Sequence, residues 1–201
     1  MRRARSTQGF TLVELMVTVA MLAILVVVTI PPVLRAMQRR EAANAAQVVL
    51  DSVEFAKVQA SARNHAYAIT WATQTVDADG HVTGNGSLTV SEGAGNTCVD
   101  ITLPANHTDV RTISLATNFP YVYLIEVRPS SLGTHYICIR PDGRVLDAST
   151  SQPVTSSSAN YAAGDAVLVL QRFQDIGSGQ PDGPKHLVVI PFNGATRLAF
   201  E

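Results

Sequence analysis

Glu14 is the one charged residue in an apolar run that covers residues 10–30. At about 1.5 Å per residue, a helix of that length spans roughly 31 Å, the thickness of the hydrocarbon core of a bilayer. A carboxylate at the centre of such a helix costs on the order of 2.5 to 3.5 kcal/mol, and less towards the helix end, where Glu14 lies. An ionisable residue at this place indicates a partner and a function, and the sequence of the run does not name the partner.

The N-terminal flank of this run is basic, because it carries Arg2, Arg3 and Arg5. Basic flanks stay in the cytoplasm, so the flank predicts an N-in orientation with the rest of the chain on the far side of the membrane. A secretory signal peptide is one alternative, but its apolar core is shorter and is followed by a small-x-small cleavage site, whereas this run ends in Ile30-Pro31-Pro32. A plain signal anchor is the other alternative, and it leaves Glu14 without a partner.

Residue patterns for metal binding and catalysis are absent from the sequence. The run Asp77-Ala78-Asp79-Gly80 lacks the ligand spacing of a calcium loop and is interpreted as a turn. There is no Gly-x-Ser-x-Gly elbow, phosphate-binding loop or paired-carboxylate arrangement. We therefore expect a protein that is not an enzyme and that holds no metal or cofactor. The histidines are scattered, with neither a His-x-x-x-His nor a Cys-x-x-Cys pair: His65, His81, His107, His135 and His186.

Cys98 and Cys138 are the two cysteines, and both follow the apolar run. An oxidising compartment beyond the membrane permits a disulfide between them. Such a bridge closes a loop of about 40 residues, which stabilises a fold by roughly 4 kcal/mol in the chain-entropy model. The alternative is two separate buried thiols, because sequence does not show whether the two Cα atoms lie within bridging distance.

Residues 33–64 lack Gly and Pro and are predicted to form an amphipathic helix that continues from the apolar segment. One stripe of this helix is apolar and should face a sheet. The charged residues of the opposite surface are expected to be mostly solvated. The stripe consists of Ala42, Ala46, Val49, Val53, Ala56 and Ala60, and the charged surface carries Arg39, Arg40, Glu41, Asp51, Glu54 and Lys57.

The remaining chain, residues 65–201, is predicted to be one β-rich globular domain. Eight short segments rich in β-branched and aromatic residues are separated by Asp-Gly and Asn-Gly turns. The fold class is therefore α+β, with a long N-terminal helix packed on antiparallel sheets. The predicted strands are residues 66–73, 87–91, 99–103, 122–128, 135–140, 167–172, 185–191 and 196–200.

The N-terminal run Gly9-Phe10-Thr11-Leu12-Val13-Glu14-Leu15 resembles the class III signal of type IV pilins and type II secretion pseudopilins. The resemblance implies a pilin-like fold, cleavage between Gly9 and Phe10 by a prepilin peptidase, and N-methylation of Phe10. It also implies that Glu14 pairs with the free amine of a neighbouring subunit when the helices stack into a filament. Pro31 falls where many pilins kink this helix, since proline removes an intrahelical hydrogen bond.

The same resemblance implies how the chain is divided and where it is located. Residues 1–9 would be the leader, residues 10–30 the transmembrane helix, residues 31–64 the amphipathic helix and residues 65–201 the periplasmic domain. The protein would be a single-pass protein of the bacterial inner membrane that is incorporated into a pilus or pseudopilus. Its implied partners are other pilins or pseudopilins in a tip complex of minor subunits, the prepilin peptidase and the inner-membrane assembly platform.

The C-terminal half resembles the pseudopilin H and FimT group, in residues 137–145, a strand, turn and strand, and in residues 187–198. The resemblance implies an alternative role in DNA capture, through a Gly-Arg-x-Arg motif that contacts phosphates. The corresponding run is Gly194-Ala195-Thr196-Arg197, so the first arginine is missing. Removal of the leader also lowers the formal net charge from −1 to about −4, the wrong sign for attracting DNA. Arg197 and Arg144 are the candidate DNA contacts of this alternative, and a structural minor subunit is the favoured function.

Overall fold

The computed structural model describes residues 11–79, 81–101, 107–128, 136–147, 153–154, 164–174 and 179–201. The chain divides into two compact units, Met1–Gln38 and Arg39–Glu201, and the first helix contributes residues to both. The elements in chain order are α1 Leu12–Arg63, β1 Tyr67–Ala72, β2 Thr75–Val76, β3 Val82–Gly84, β4 Ser87–Gly93, a 3-10 helix Cys98–Asp100, β5 His107–Ser114, α2 Leu115–Asn118, β6 Val122–Arg128, β7 Tyr136–Ile139, β8 Val145–Asp147, β9 Ala166–Arg172, β10 His186–Ile190 and β11 Arg197–Phe200.

In the second unit, α1 buries the apolar stripe that its sequence predicts. The six predicted residues are all at most 3% exposed, and Ala45 is buried beside them. Because the stripe consists mainly of alanine, the helix axis can approach a sheet closely. The helix ends at Arg63, and Asn64 follows with a φ of 55°. Asparagine tolerates this left-handed conformation better than most residues and often ends a helix.

Two antiparallel sheets accompany α1, which confirms the α+β fold class. One sheet has five strands in the order β5-β4-β1-β7-β8, and the other has four in the order β11-β10-β9-β6. The short strands β2 and β3 form a separate hairpin. The main core lies between the alanine stripe and the inner faces of both sheets, with Ile69 and Ile137 from the first sheet and Leu168 and Val188 from the second.

The turn between β3 and β4 links the two sheets. It consists of Asn85 and Gly86, an Asn-Gly pair of the kind that predicts a turn. Gly86 has a φ of +90°, and a Cβ there would lie 2.6 Å from the carbonyl oxygen of Ala72, so a residue with a side chain does not fit. The buried Asn85 amide donates hydrogen bonds to the carbonyl oxygens of Pro120 at 2.7 Å and Val122 at 3.2 Å. This turn therefore fastens the first sheet to the start of β6.

The predicted strand over residues 99–103 is wrong. The chain forms a 3-10 helix at Cys98–Asp100, and Cys98 and Ile101 are both buried. Their spacing of three residues matches the 3-10 period and places both side chains against Ala68 and Cys138 of the first sheet. Residues 102 and 103 lie outside the described part of the chain.

Strand β5 was not predicted, although its eight residues make it the longest strand in the described part of the chain. Its sequence HTDVRTIS contains three charged or ionisable residues and little apolar alternation. The reason is its place at the edge of the five-stranded sheet, where exposed residues alternate less strictly than in a central strand.

One extra residue interrupts the pairing of each of two outer strands. Opposite Val90 and Ser91 of β4, the register passes from Arg111 to Asp109 of β5, so Val110 forms a bulge. The register between β6 and β9 likewise passes from Leu124 directly to Glu126, which leaves Ile125 as a bulge in β6. A bulge of this kind bends the strand and increases its twist.

Candidate functional site

The first turn of α1 has a defined cap. The helix begins at Leu12, and the hydroxyl oxygen of Thr11 accepts a hydrogen bond from the backbone N–H of Glu14 at 3.2 Å. The carbonyl oxygen of Thr11 accepts a bond from the N–H of Leu15, also at 3.2 Å. These two bonds identify Thr11 as the N-cap of α1 and place Glu14 in the first turn.

The following segment of α1 is suited by length and composition to cross a membrane. Leu12–Ile30 has 19 residues with a mean hydropathy of 2.7, and none of it is buried in the protein. The hydroxyls of Thr18 and Thr29 donate to the carbonyl oxygens of Leu15 and Leu25, so both are satisfied within the helix. Glu14 is exposed and is the only ionisable side chain of this segment.

Three of the predicted N-terminal residues cannot be placed by geometry. Gly9 and Phe10 lie outside the described residues. Pro31 falls within α1, but its side chain is outside the described part. The cleavage site, the methylation of Phe10 and the helix kink at Pro31 therefore stay predictions.

Residues 4–30 match the family model of the prokaryotic N-terminal methylation motif. The match begins at Ala4 and covers Arg5 of the basic flank, the predicted cleavage site, Glu14 and the apolar part of α1. The N-terminal segment of this chain therefore carries the methylation motif that is typical of type IV pilin-like proteins. The motif implies assembly with other pilins in a pilus and indicates a structural subunit, and the exposed apolar helix is consistent with membrane anchoring.

One solved structure with a similar chain is the type IV minor pilin FimU of Pseudomonas aeruginosa. The two chains are 14% identical, with a TM-score of 0.44, over 81% of this chain and 90% of that chain. No curated protein matches the sequence.

The C-terminal turn that aligns with the DNA-contact motif is bound to α1. Glu54 accepts the backbone N–H of Thr196 at 2.9 Å, while Lys57 donates to the carbonyl oxygen of Gly194 at 2.9 Å and to the hydroxyl of Thr196 at 2.8 Å. Burial raises the pKa of Glu54, but the hydrogen bonds from Thr196 and the nearby Lys57 outweigh it and hold that pKa below its usual value. Both residues belong to the charged surface that was expected to be mostly solvated, and they instead position this turn.

The candidate DNA contacts Arg144 and Arg197, and the neighbouring Arg140, each lie beside a carboxylate. Arg144 is 3.6 Å from Asp142, and Arg140 is 3.8 Å from the same residue. Arg197 is 3.7 Å from the buried Asp165. Arg140 and Arg144 share the β7–β8 turn of the five-stranded sheet, whereas Arg197 begins β11 of the other sheet. The neighbouring carboxylates offset the positive charge that a phosphate would require.

Cys98 and Cys138 form a disulfide, with the two Cα atoms 5.8 Å apart. The bridge fastens the 3-10 helix to β7 on the side of the sheet that faces away from α1. Of the two alternatives that the sequence left open, the structure therefore has the bridge rather than separate thiols.

A cleft of about 460 Å³ lies in the second unit and includes Ala42, Arg172, Asp182 and His186 among its lining residues. Arg172 is buried, contacts Asp182, and has its Nε atom 3.6 Å from Glu41 of α1. Burial lowers the pKa of His186 and so favours its neutral form. Glu41 belongs to the charged surface that was expected to be mostly solvated, and its ion pair instead joins α1 to β9.

A second cleft, of about 440 Å³, lies near the end of α1. Glu92 pairs there with Arg63 at 2.7 Å and with the ring of His65 at 2.9 Å. Burial and the neighbouring Glu92 raise the pKa of Tyr67 to about 12. Among the described residues there is no group of three or more His, Cys, Asp or Glu side chains suited to hold a metal ion.

Replacing Glu54 by alanine should release the C-terminal turn from α1. We expect faster hydrogen exchange at the Thr196 amide and a loss of about 1 kcal/mol in the free energy of unfolding, since solvent partly screens this carboxylate. The pKa of Glu54 is lowered in the folded protein, so its contribution is present above the unfolded pKa and is lost as pH falls through the folded pKa. Hydrogen exchange measured by NMR over a pH series checks both effects.

The matched control is Asp51→Ala, which removes an exposed carboxylate of the same helix that pairs with Gln47. This variant should leave the Thr196 amide as protected as in the parent. Equal exchange of that amide in the parent and in Glu54→Ala would contradict the assigned role of Glu54.

Proposed function

We propose that this protein is a minor subunit of a filament of the type IV pilin class, either a type II secretion pseudopilus or a type IV pilus. The observation that carries the proposal is the match of residues 4–30 to the N-terminal methylation motif, which includes the exposed apolar segment Leu12–Ile30 of α1. A methylation motif has a use only where an N-terminal amine is created and then modified. The proposal therefore includes removal of residues 1–9 and methylation of the new amine at Phe10.

The membrane orientation in this proposal is N-in. Arg2, Arg3 and Arg5 would keep the leader in the cytoplasm, where the prepilin peptidase removes it. Residues 10–30 then hold the subunit in the inner membrane, and residues 31–64 continue the helix into the periplasmic domain of residues 65–201. The sequence of its C-terminal strands resembles the pseudopilin H and FimT group of minor subunits, and we assign the subunit to that group within this proposal.

Glu14 supports an assembly role because of its position. It lies in the first turn of an apolar helix, is exposed, and is the only ionisable side chain between Leu12 and Ile30. A carboxylate and an ammonium group in an apolar medium each cost several kcal/mol when alone and much less when paired. Pairing of Glu14 with the N-terminal amine of a neighbouring pilin would therefore favour stacking of the helices over a lone helix in the lipid.

Nucleic-acid binding is not favoured by the described surface. Arg140, Arg144 and Arg197 each lie within 4 Å of a carboxylate. Ala195 stands where the first phosphate-contacting arginine of the motif would be, and its turn is bound to α1 through Glu54 and Lys57. A mildly acidic subunit with paired arginines is suited to contacts with other pilins, and the assembly platform and neighbouring minor subunits are its proposed partners.

The test is mass analysis of the mature N-terminus. The full-length chain is produced together with a prepilin peptidase, and the membrane form is digested and analysed. We expect an N-terminal peptide that begins at methylated Phe10. A Gly9→Val variant, in which a branched side chain crowds the scissile bond, should keep its leader. An N-terminus at Met1 or Arg2 in the parent would instead indicate a plain membrane anchor and overturn the proposal.

A further inference from the structure

The sequence contains two asparagines that are followed directly by glycine, Asn85 and Asn193. Asparagine is a thermolabile residue, and it is most labile when the backbone nitrogen of the next residue can attack its side-chain amide carbon. Glycine has no side chain to hinder that attack. The structure places the two Asn-Gly pairs in opposite environments, so burial and hydrogen bonding decide which of them can react.

The side chain of Asn85 is held in the core. It is 7% exposed, and its amide donates hydrogen bonds to the carbonyl oxygens of Pro120 at 2.7 Å and Val122 at 3.2 Å. The backbone carbonyl oxygen of Asn85 also accepts the N–H of Leu124 at 3.0 Å. Rotation of this amide towards the nitrogen of Gly86 would break its hydrogen bonds, so a reaction here requires local opening of the core.

The other Asn-Gly pair lies on the surface, between two fixed points of the chain. Asn193 and Gly194 are both exposed. Before them, the carbonyl oxygen of Phe192 accepts the N–H of Val145 at 2.9 Å. After them, the carbonyl oxygen of Gly194 accepts a hydrogen bond from Lys57 at 2.9 Å. The amide of Asn193 and the nitrogen of Gly194 take part in neither anchor, so ring closure between them breaks neither of these bonds.

We propose that Asn193 is a site of spontaneous covalent modification, at which the side chain closes to a succinimide and reopens as aspartate or isoaspartate. In the first step the nitrogen of Gly194 bonds to the side-chain carbon of Asn193, and the amide group leaves as ammonia with the proton of that nitrogen. Water then adds to one of the two ring carbonyls and returns a proton to the nitrogen. Opening on one side gives aspartate, and opening on the other gives isoaspartate, whose main chain runs through the former side chain.

The isoaspartate product changes the contact between the C-terminal turn and α1. It adds one methylene group to the main chain between the carbonyl groups of Phe192 and Gly194, both of which are anchored. The displaced turn then loses the alignment in which the N–H of Thr196 donates to Glu54 at 2.9 Å. The modification therefore releases this turn as the protein ages, and it does so whether or not the proposed function holds.

The experiment incubates the full-length protein in detergent micelles at neutral pH and follows it by peptide mapping with mass spectrometry. We expect the peptide of Asn193 to lose ammonia at least about a hundredfold faster than that of Asn85, a ratio that needs only about 2.7 kcal/mol of opening free energy at the buried pair. Asn96 is exposed but is followed by Thr97, so it should also react slowly. In urea the two Asn-Gly pairs should react at the same rate.

Two variants test the site and its effect on the turn. Asn193→Gln requires a larger ring and should stay unmodified. Asn193→Asp reproduces the charge without the added methylene, so its Thr196 amide should exchange as in the parent, whereas the isolated isoaspartate form should exchange faster. Equal ammonia loss at Asn193 and Asn85 in the folded protein would overturn the assignment, and so would a difference that persists in urea. Unchanged exchange at Thr196 in the isoaspartate form would overturn the effect on the turn.

Discussion

Glu14→Ala should abolish incorporation of the subunit into filaments while leaving it in the membrane. The substitution removes the only carboxylate of the apolar helix and leaves the amine of the adjoining subunit without a partner in lipid. An uncompensated buried charge costs about 3 to 5 kcal/mol, which corresponds to a loss of more than a hundredfold in incorporation. Sheared filament fractions and membrane fractions, compared by quantitative mass spectrometry, measure the effect.

Two companion variants separate charge from shape at this position. Glu14→Gln preserves the size and the helix propensity but removes the charge, so it should be excluded from filaments like Glu14→Ala. Thr18→Val changes the same helix without altering its charge and should be incorporated normally. Normal incorporation of Glu14→Gln would show that the ion pair does not drive assembly.

Removal of the disulfide should produce the largest loss of stability in the globular part. The bridge joins residues 40 positions apart, and both cysteines are buried. We expect the Cys98→Ala, Cys138→Ala double variant to lose roughly 4 kcal/mol in its free energy of unfolding, the chain-entropy value for a loop of this length. Urea denaturation of the full-length protein in detergent, followed by Trp71 fluorescence, measures the change.

The double variant has a close control in the exposed residue next to the bridge. Val99→Ala truncates a side chain that is 74% exposed in the same 3-10 helix, so it should change the free energy of unfolding by less than about 0.5 kcal/mol. A reductant should destabilise the parent as much as the double substitution does. Equal stability of the parent and the double variant would show that the bridge does not hold the 3-10 helix in place.

The helical part of the fold could be predicted from sequence because its pattern is local. The alanine stripe repeats with alternating spacings of three and four, and the structure buries all of it. The turn at Gly86 could likewise be predicted, because asparagine and glycine adopt the positive φ angles that tight turns require. Such features depend on the residues nearby in the chain, and so they are visible without knowledge of the fold.

The parts that could not be predicted depend on contacts between distant residues. Glu54 and Lys57 have the spacing of an ordinary solvated pair on a helix, and only their contacts with residues 194 and 196 show another role. Residues 99–103 have the composition of a strand, but the covalent bond from Cys98 to β7 selects a tighter turn. Arg172 is a further example. Its burial depends on ion pairs with Glu41 and Asp182, and the sequence does not show that these residues lie beside it.

In the second sheet, the sequence predicts the strands but not which of their two faces packs against α1. Strands β9 and β10 carry apolar residues on both faces, and Val167, Val169, Leu187 and Val189, on the face away from α1, are all buried. Continuous apolar runs of this kind are typical of strands covered on both sides. The sequence therefore indicated strands here, but it did not indicate which residues of each strand belong to the helix-facing core.

The bulges at Val110 and Ile125 protect two edge strands against pairing with strands of other chains. A straight outer strand offers a row of free backbone groups, on which another chain can add a strand and begin an amyloid-like aggregate. Here the register of both β5 and β6 is broken by one residue, so an incoming strand would lose its alignment part-way along. Strand-by-strand growth is thereby disfavoured at these two edges, which limits association of these sheets through their backbone groups.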